Sequence, residues 1–138
     1  MRRLFILLGF CLCVSFLGTG CLGHLMRDTK RALQSDSVKR KKENISKVAR
    51  VYGGVRGVRL IRPALFDKNP EVQLFTLQTL TRLAESSHAA AESVLCIAEH
   101  SKNARLKKAA VGVFRTMKHK PWYLAKRLEK LGVRLARK

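Results

Sequence analysis

A few side chains in the middle of the sequence could carry chemistry. His88 and Glu92 stand four residues apart, Glu99 and His100 are adjacent, and Cys96 lies between the two pairs. A histidine beside a carboxylate can transfer protons, and a cysteine near a histidine can act as a nucleophile or a metal ligand. Neither pair has a third group at a useful spacing, and the sequence contains no Gly-rich phosphate loop, HExxH motif or paired-cysteine metal site. We therefore predict surface or capping roles for the histidines, a small buried core residue at Cys96, and no enzyme activity, metal or cofactor.

The elements that carry these residues are amphipathic helices. Apolar side chains recur at the three-and-four spacing of one helix face at Val58, Ile61 and Leu65, and again at Val94 and Ala98. The same spacing continues through two later segments, with apolar or small residues at 72, 76, 80 and 83 and at 106, 110, 113, 114 and 117. The sequence therefore predicts an all-α fold built from pairs of helices.

Two of these helix pairs are related by an internal repeat. The segment 67–73 aligns with the segment 101–107 at an offset of 34 residues, which superimposes Asn69 on Asn103 and keeps the apolar positions in step. An asparagine before the proline at position 70 favours a helix start, because a short polar side chain can cap free amides and proline is tolerated in the first turn. Pro63 falls inside the preceding helix and should kink it.

The repeated segment resembles a HEAT repeat, on the residues Ile61-Arg62-Pro63-Ala64-Leu65-Phe66-Asp67-Lys68-Asn69-Pro70-Glu71-Val72-Gln73. HEAT units usually carry Arg after the corner valine, where this chain has Gln73, and the second unit has Ser101 in place of the corner aspartate. The resemblance implies a short α-solenoid of antiparallel helical hairpins over residues 55–118. Tetratricopeptide repeats have a similar length and are the alternative, although their tryptophan, tyrosine and alanine pattern is missing.

The N-terminus has the layout of an export signal. Arg2 and Arg3 precede a 14-residue uncharged apolar run, Leu4–Leu17, which is shorter than the roughly 20 residues that cross a bilayer. The following Gly18-Thr19-Gly20-Cys21 resembles the lipobox of bacterial lipoproteins, although the family prefers Leu, Val or Ile at the position of Gly18. The resemblance implies removal of residues 1–20, lipid attachment at Cys21 and a membrane-anchored envelope protein. An uncleaved anchor, an ordinary signal and a buried helix in a cytosolic protein are the alternatives.

The flanking segments are predicted to be atypical ends of the array. Residues 21–54 form an anchor-proximal helical segment, and helices at 24–33 and 37–52 could make a degenerate first hairpin that Gly53, Gly54 and Gly57 terminate. Residues 119–138 form a basic capping helix. We expect Trp122 and Tyr123, at its start, to close the core, with a membrane-interface anchor as the alternative.

The charge is strongly positive. The 138 residues contain 29 Lys and Arg against 9 Asp and Glu, a formal net charge of +20, and only one acid follows Lys102. Such an imbalance favours an anionic partner, without choosing between lipid head groups, envelope polymers and nucleic acid. The predicted anionic-surface residues are Lys39, Arg40, Lys41, Lys42, Arg105, Lys107, Lys108, Arg115, Lys118, Lys120, Lys126, Arg127, Lys130 and Arg134.

Together these features predict a non-catalytic binding or scaffold module at a bacterial envelope membrane, held by lipid on Cys21. Its partners would be anionic lipid head groups, envelope polymers or a protein. The rival hypothesis is a basic helical-repeat protein that binds nucleic acid through phosphate contacts, which would lead if the N-terminus were not an export signal.

Overall fold

Helices account for all the regular structure in the residues that the computed structural model describes, 27–118 and 122–130, and no strand occurs among them. The all-α prediction is therefore confirmed for this part of the chain. The predicted signal at 1–20 and the lipid site at Cys21 lie outside the described residues. The helices are α1 (described over 27–34), α2 (Val38–Tyr52), α3 (Gly54–Ile61), α4 (Pro70–Arg82), α5 (Ala91–His100), α6 (Ala104–Thr116) and α7 (Trp122–Lys130), with 3-10 helices at Arg62–Phe66 and Ser87–Ala90.

The helices pack in two layers. In one layer α2 and α6 both contact α4. In the other, α3 with its 3-10 extension contacts the Ser87–Ala90 helix and α5, and α5 contacts α7. Contacts of α2 with α3, of α4 with the Arg62–Phe66 helix, and of α5 with α6 join the layers. Consecutive helices therefore alternate between the layers from α2 to α7.

The core lies between the layers and is made by the predicted apolar faces. Val58, Ile61 and Leu65 are fully buried, and Val94 and Leu95 meet them from the next unit. Apolar positions that coincide at the 34-residue offset are buried in both helices at two places, Val72 with Leu106 and Leu80 with Phe114. Thr76 is also fully buried, and its hydroxyl donates to the Val72 carbonyl at 2.8 Å, so this polar group is satisfied. Leu83, which the pattern also predicts to be on this face, is only partly buried.

The two corners are capped in the same way. The Asn69 side chain accepts from the Glu71 amide at 2.8 Å, and the Asn103 side chain accepts from the Arg105 amide at 2.9 Å. The backbone N–H of each asparagine donates in turn to the side chain two residues earlier, which is Asp67 in the first unit and Ser101 in the second. The helix start predicted at Asn69 is confirmed, and the same hydrogen bonds recur 34 residues later at Asn103.

Two local predictions are only partly right. Gly53 and Gly54 end α2 with left-handed φ of 48° and 42°, as glycines do most easily, but Gly57 lies inside α3 and does not break it. Pro63 acts more strongly than a kink, because α3 ends at Ile61 and the chain continues as a 3-10 helix through Phe66.

The structure corrects two burial predictions. Cys96 is exposed, because the buried face of α5 runs through Ala91, Val94 and Ala98 and position 96 faces away from it. Trp122 is 80% exposed and meets Tyr123 edge to face, with ring centroids 6.2 Å apart, so it does not close the core. Leu124 and Leu128 fill that position in α7 instead.

A buried ion pair joins α2 to the first unit. The Lys41 ammonium on α2 donates to the Asp67 carboxylate at 2.6 Å, and the two side chains are only 6% and 8% exposed. Burial alone would raise the pKa of Asp67, but hydrogen bonds from Lys41 and the Asn69 amide outweigh it, so the pKa lies below its usual range. The same carboxylate therefore ties α2 to the corner and supports the cap of α4.

We predict that Lys41→Met lowers the free energy of unfolding at neutral pH by about 3 kcal/mol, because it leaves the Asp67 charge buried without its partner. A depressed pKa stabilises the folded state above the unfolded value, and this contribution disappears as pH falls through the folded pKa. The deficit should therefore shrink as the pH is lowered and Asp67 becomes protonated. Urea denaturation at neutral and acid pH measures it.

Lys68→Met is the matched control, because Lys68 pairs with Asp36 on the open surface, where both side chains are well exposed. It should leave the free energy of unfolding almost unchanged. A Lys41→Met deficit that equals the control, or that does not depend on pH, would contradict the assignment.

Removal of one corner cap should destabilise the second unit. Asn103→Ala leaves the Arg105 and Leu106 amides without the side-chain acceptor that they share in the folded chain. We expect a loss of about 1 kcal/mol of unfolding free energy in urea denaturation. Gln78→Ala, at an exposed position within α4, is the control and should have no such effect.

Candidate anionic-surface interface

Six of the fourteen predicted cations are exposed on the layer formed by α2, α4 and α6. Two of them, Lys39 and Arg40, lie at the start of α2 and the other four lie along α6, with α4 between the two groups. We call the exposed Lys and Arg side chains of these three helices the basic layer: Lys39, Arg40, Lys47, Arg50, Arg82, Arg105, Lys107, Lys108 and Arg115.

Few acids oppose the basic layer. Its helices expose only Glu43 and Glu71, and among the residues that the structure describes no ion pair involves a cation of the basic layer. Glu71 instead accepts from Lys42 at 2.9 Å, and this bond, with the nearby charge of Arg105, lowers the pKa of Glu71. One carboxylate thus lies under the influence of cations from both neighbouring helices, and the excess positive charge faces solvent.

The predicted cations that follow Lys102 in the sequence are divided between the layers. Lys126 and Lys130 are exposed on α7, which packs on α5 in the opposite layer from α6. Arg127 of the same helix forms a bidentate pair with Glu99, with nitrogen–oxygen distances of 2.9 and 2.5 Å. These contacts raise the pKa of Arg127, so its charge is fixed and already used to hold α7 on α5.

Several predicted anionic-surface residues are engaged within the protein. Lys41 is the clear correction, because it is buried in the pair with Asp67 and presents no charge to a surface. Lys42 pairs with Glu71, and Lys118 pairs with Glu85. Each of these three lysines thus pairs with an acid of a neighbouring unit, and the protein has few acids. Lys120 and Arg134 lie outside the described residues, as does Cys21.

Three cations of the basic layer were not predicted from the sequence. Lys47 and Arg50 follow Lys39 at helical spacing on α2, so a count along the helix face would have found them. Arg82 lies in a stretch of sequence that is comparatively rich in acids, and it stands out only when the charges are grouped by layer. Arg50 and Arg82 line one small cleft, of about 270 Å³, between α2 and α4.

The side chains considered for catalysis have ordinary surroundings. One ring nitrogen of His88 lies 2.9 Å from the Glu85 carbonyl, and one of His100 lies 3.2 Å from the Cys96 carbonyl. Both rings are exposed. Within residues 27–118 and 122–130, no group of three His, Cys, Asp or Glu side chains could hold a metal ion. No helix in the same ranges is long and apolar enough to span a bilayer.

Chemically, the arrangement suits attraction to an extended negative surface. Unpaired cations spread over three neighbouring helices create a positive potential without the convergent polar groups of a small-molecule site. Comparison of the chain with known protein families, curated proteins and solved structures finds no match.

Neutralising part of the basic layer should weaken binding to anionic vesicles. For a chain that begins at Leu22, we predict that the combined substitutions Lys107→Gln, Lys108→Gln and Arg115→Gln lower the affinity for phosphatidylglycerol vesicles about a hundredfold, because each cation near an anionic bilayer contributes about 1 kcal/mol. Vesicle flotation measures this affinity.

The matched control removes three exposed cations outside the basic layer: Arg56→Gln, Arg62→Gln and Lys126→Gln. It changes the net charge equally and should lower the affinity less than tenfold. Equal losses in both variants would show that net charge alone, and not the basic layer, sets the binding.

Proposed function

We propose that this chain is a membrane-anchored lipoprotein of the bacterial envelope that acts as a non-catalytic binding or scaffold module. The observation that carries the proposal is the unpaired positive charge of the basic layer, combined with a signal-like N-terminus that ends at Cys21. The excess charge selects an anionic partner, and the anchor would place the domain beside an anionic membrane.

The distance between the proposed anchor and the domain supports this arrangement. Arg27, the first described residue of α1, follows Cys21 by six positions in the sequence. Even a fully extended connection of that length spans only about 20 Å. Acyl chains and a basic surface on one short tether form a two-signal anchor, in which neither element alone has to hold the protein. Anionic lipid head groups are thus the first partner, and acidic envelope polymers or a protein are further partners of the same kind.

The proposed architecture is a short HEAT-like array. The 34-residue offset in the sequence, the equivalent caps at Asn69 and Asn103, and the alternation of helices between two layers all support it. In such arrays each unit contacts only its neighbours, and the stacked helices offer an extended surface. A scaffold or binding role is consistent with this architecture, although the architecture alone does not determine a function.

The second candidate function is nucleic-acid binding. The basic layer includes Arg50, Arg82, Arg105 and Arg115, and arginines on neighbouring helices can contact successive phosphates. This candidate requires a chain that is not exported. The chemistry of the basic layer is compatible with both partners, so the N-terminus decides between them.

Metabolic labelling with a radioactive fatty acid should test the anchor. We predict that the native chain takes up label and fractionates with membranes, and that Cys21→Ala loses the label, because the thiol is the acylation site that the lipobox-like segment implies. The control is Cys96→Ala, which removes an exposed thiol and should keep the label. Label retained by Cys21→Ala, or absent from the native chain, would overturn the lipoprotein proposal.

A further inference from the structure

An open cleft of about 790 Å³ lies between α1 and the α3–3-10 segment. Its surface is mainly apolar and includes Leu33 of α1, Leu60 of α3, and Pro63, Ala64 and Phe66 of the 3-10 helix. The uncharged polar side chains of Thr29 and Gln34 also line it. A volume of this size is within the range of about 300–1,000 Å³ that small-molecule sites occupy, and such sites are mostly apolar. The cleft is separate from the basic layer, since α1 and α3 do not belong to it.

Phe66 marks the cleft as a surface that gains from being covered. It is 57% exposed, whereas the neighbouring Ala64 and Leu65 are buried. The Arg62–Phe66 turn, which Pro63 forces out of α-helical geometry, holds the phenyl ring at the cleft instead of in the core. An aromatic ring left in water beside further apolar side chains favours an apolar occupant.

The charges around the cleft favour an anionic head group on that occupant. Asp67, at one side of the cleft, is neutralised by Lys41 in the buried pair, and Asp36 is paired with Lys68 at the rim. The remaining lining cations are Arg27, Lys30 and Arg59, and none of them forms an ion pair with an acid within the described residues. The cleft therefore combines apolar walls with a net positive rim.

We propose that this cleft binds a long-chain fatty acid, with the acyl chain against the apolar walls and the carboxylate at Arg27, Lys30 and Arg59. A neutral lipid attached at Cys21 would contact the apolar walls but would not pair with these cations. A nucleic acid could pair with the cations but would not contact the apolar walls. Each additional buried CH₂ raises the affinity about fourfold until the cleft is filled. The assignment does not depend on the proposed membrane anchor, although an anchored domain would meet such amphiphiles in the bilayer.

The test is photoaffinity labelling of the purified full-length chain with a diazirine derivative of palmitic acid, followed by mass spectrometry of the labelled peptides. Mapping separates the cleft from the apolar N-terminal run, which can also attract the probe. We expect label on the peptide that contains residues 60–66, displacement by unlabelled palmitate, and at least fivefold weaker labelling by the corresponding primary alcohol.

Two pairs of variants with matched controls sharpen the test. Arg59→Glu should reduce cleft labelling about tenfold, because it reverses one charge at the rim, whereas Arg56→Glu on the same helix lies outside the cleft and should not. Phe66→Asp should abolish labelling, whereas Val51→Asp, at another exposed apolar residue, should not. Circular dichroism establishes that each variant is folded.

Several results would overturn the inference. These are absence of label on the cleft peptide, equal labelling by the acid and the alcohol, and labelling that Arg59→Glu and Phe66→Asp leave unchanged. Cleft labelling that appears only in Cys21→Ala would show that the lipid of the chain itself is the occupant, and this would also overturn the proposal of a fatty acid. Loss of cleft labelling leaves fatty-acid incorporation at Cys21 unaffected, so the two proposals fail independently.

Discussion

Acids are scarce in this protein, and the structure uses them to join one helical unit to the next. Within the described residues, five hydrogen-bonded ion pairs link side chains that are 26 to 33 positions apart in the sequence. Lys41 and Asp67 form the buried example, and Arg127 and Glu99 attach the last helix. Cys96 is the only cysteine among the described residues and it is free, so these ties and the apolar core between the layers hold this part of the chain together.

Because the acids are used in this way, few of them offset the positive charge on the surface. A carboxylate that is committed to a neighbouring unit cannot also screen the cations around it, and the basic layer therefore faces solvent with little opposing charge. Excess charge of one sign destabilises a compact state through self-repulsion, and an anionic surface relieves it. The proposed membrane contact would thus stabilise the fold as well as hold the domain at the membrane. The ion pairs between units and the proposed binding surface both follow from the small number of acids in the sequence.

The sequence predicts those features that depend on local geometry. Periodicity defines the buried faces that contain Val58 and Val94, because one helix face must meet the core whatever packs against it. Asn69 and Asn103 identify helix starts because capping involves amides only two or three residues away. The helical fold, the corner at Asn69 and six of the nine cations of the basic layer could therefore be predicted.

Features that depend on a distant partner could not be predicted. Lys41 belongs to a basic run, and only its position opposite Asp67 removes it from the surface. Cys96 and Trp122 are apolar residues that the packing of α5 and α7 turns towards solvent. The cleft beside Phe66 has no sequence signal, because its walls come from two helices and a turn that local spacing does not bring together.

The most direct test of the proposed membrane role compares how a chain that begins at Leu22 binds to an anionic membrane and to nucleic acid. Its binding to phosphatidylglycerol vesicles and to a DNA duplex should be measured over the same range of salt concentration. The account predicts binding to the anionic vesicles that weakens with salt, and no binding to phosphatidylcholine vesicles. Strong duplex binding that falls steeply with salt, without binding to either kind of vesicle, would contradict it.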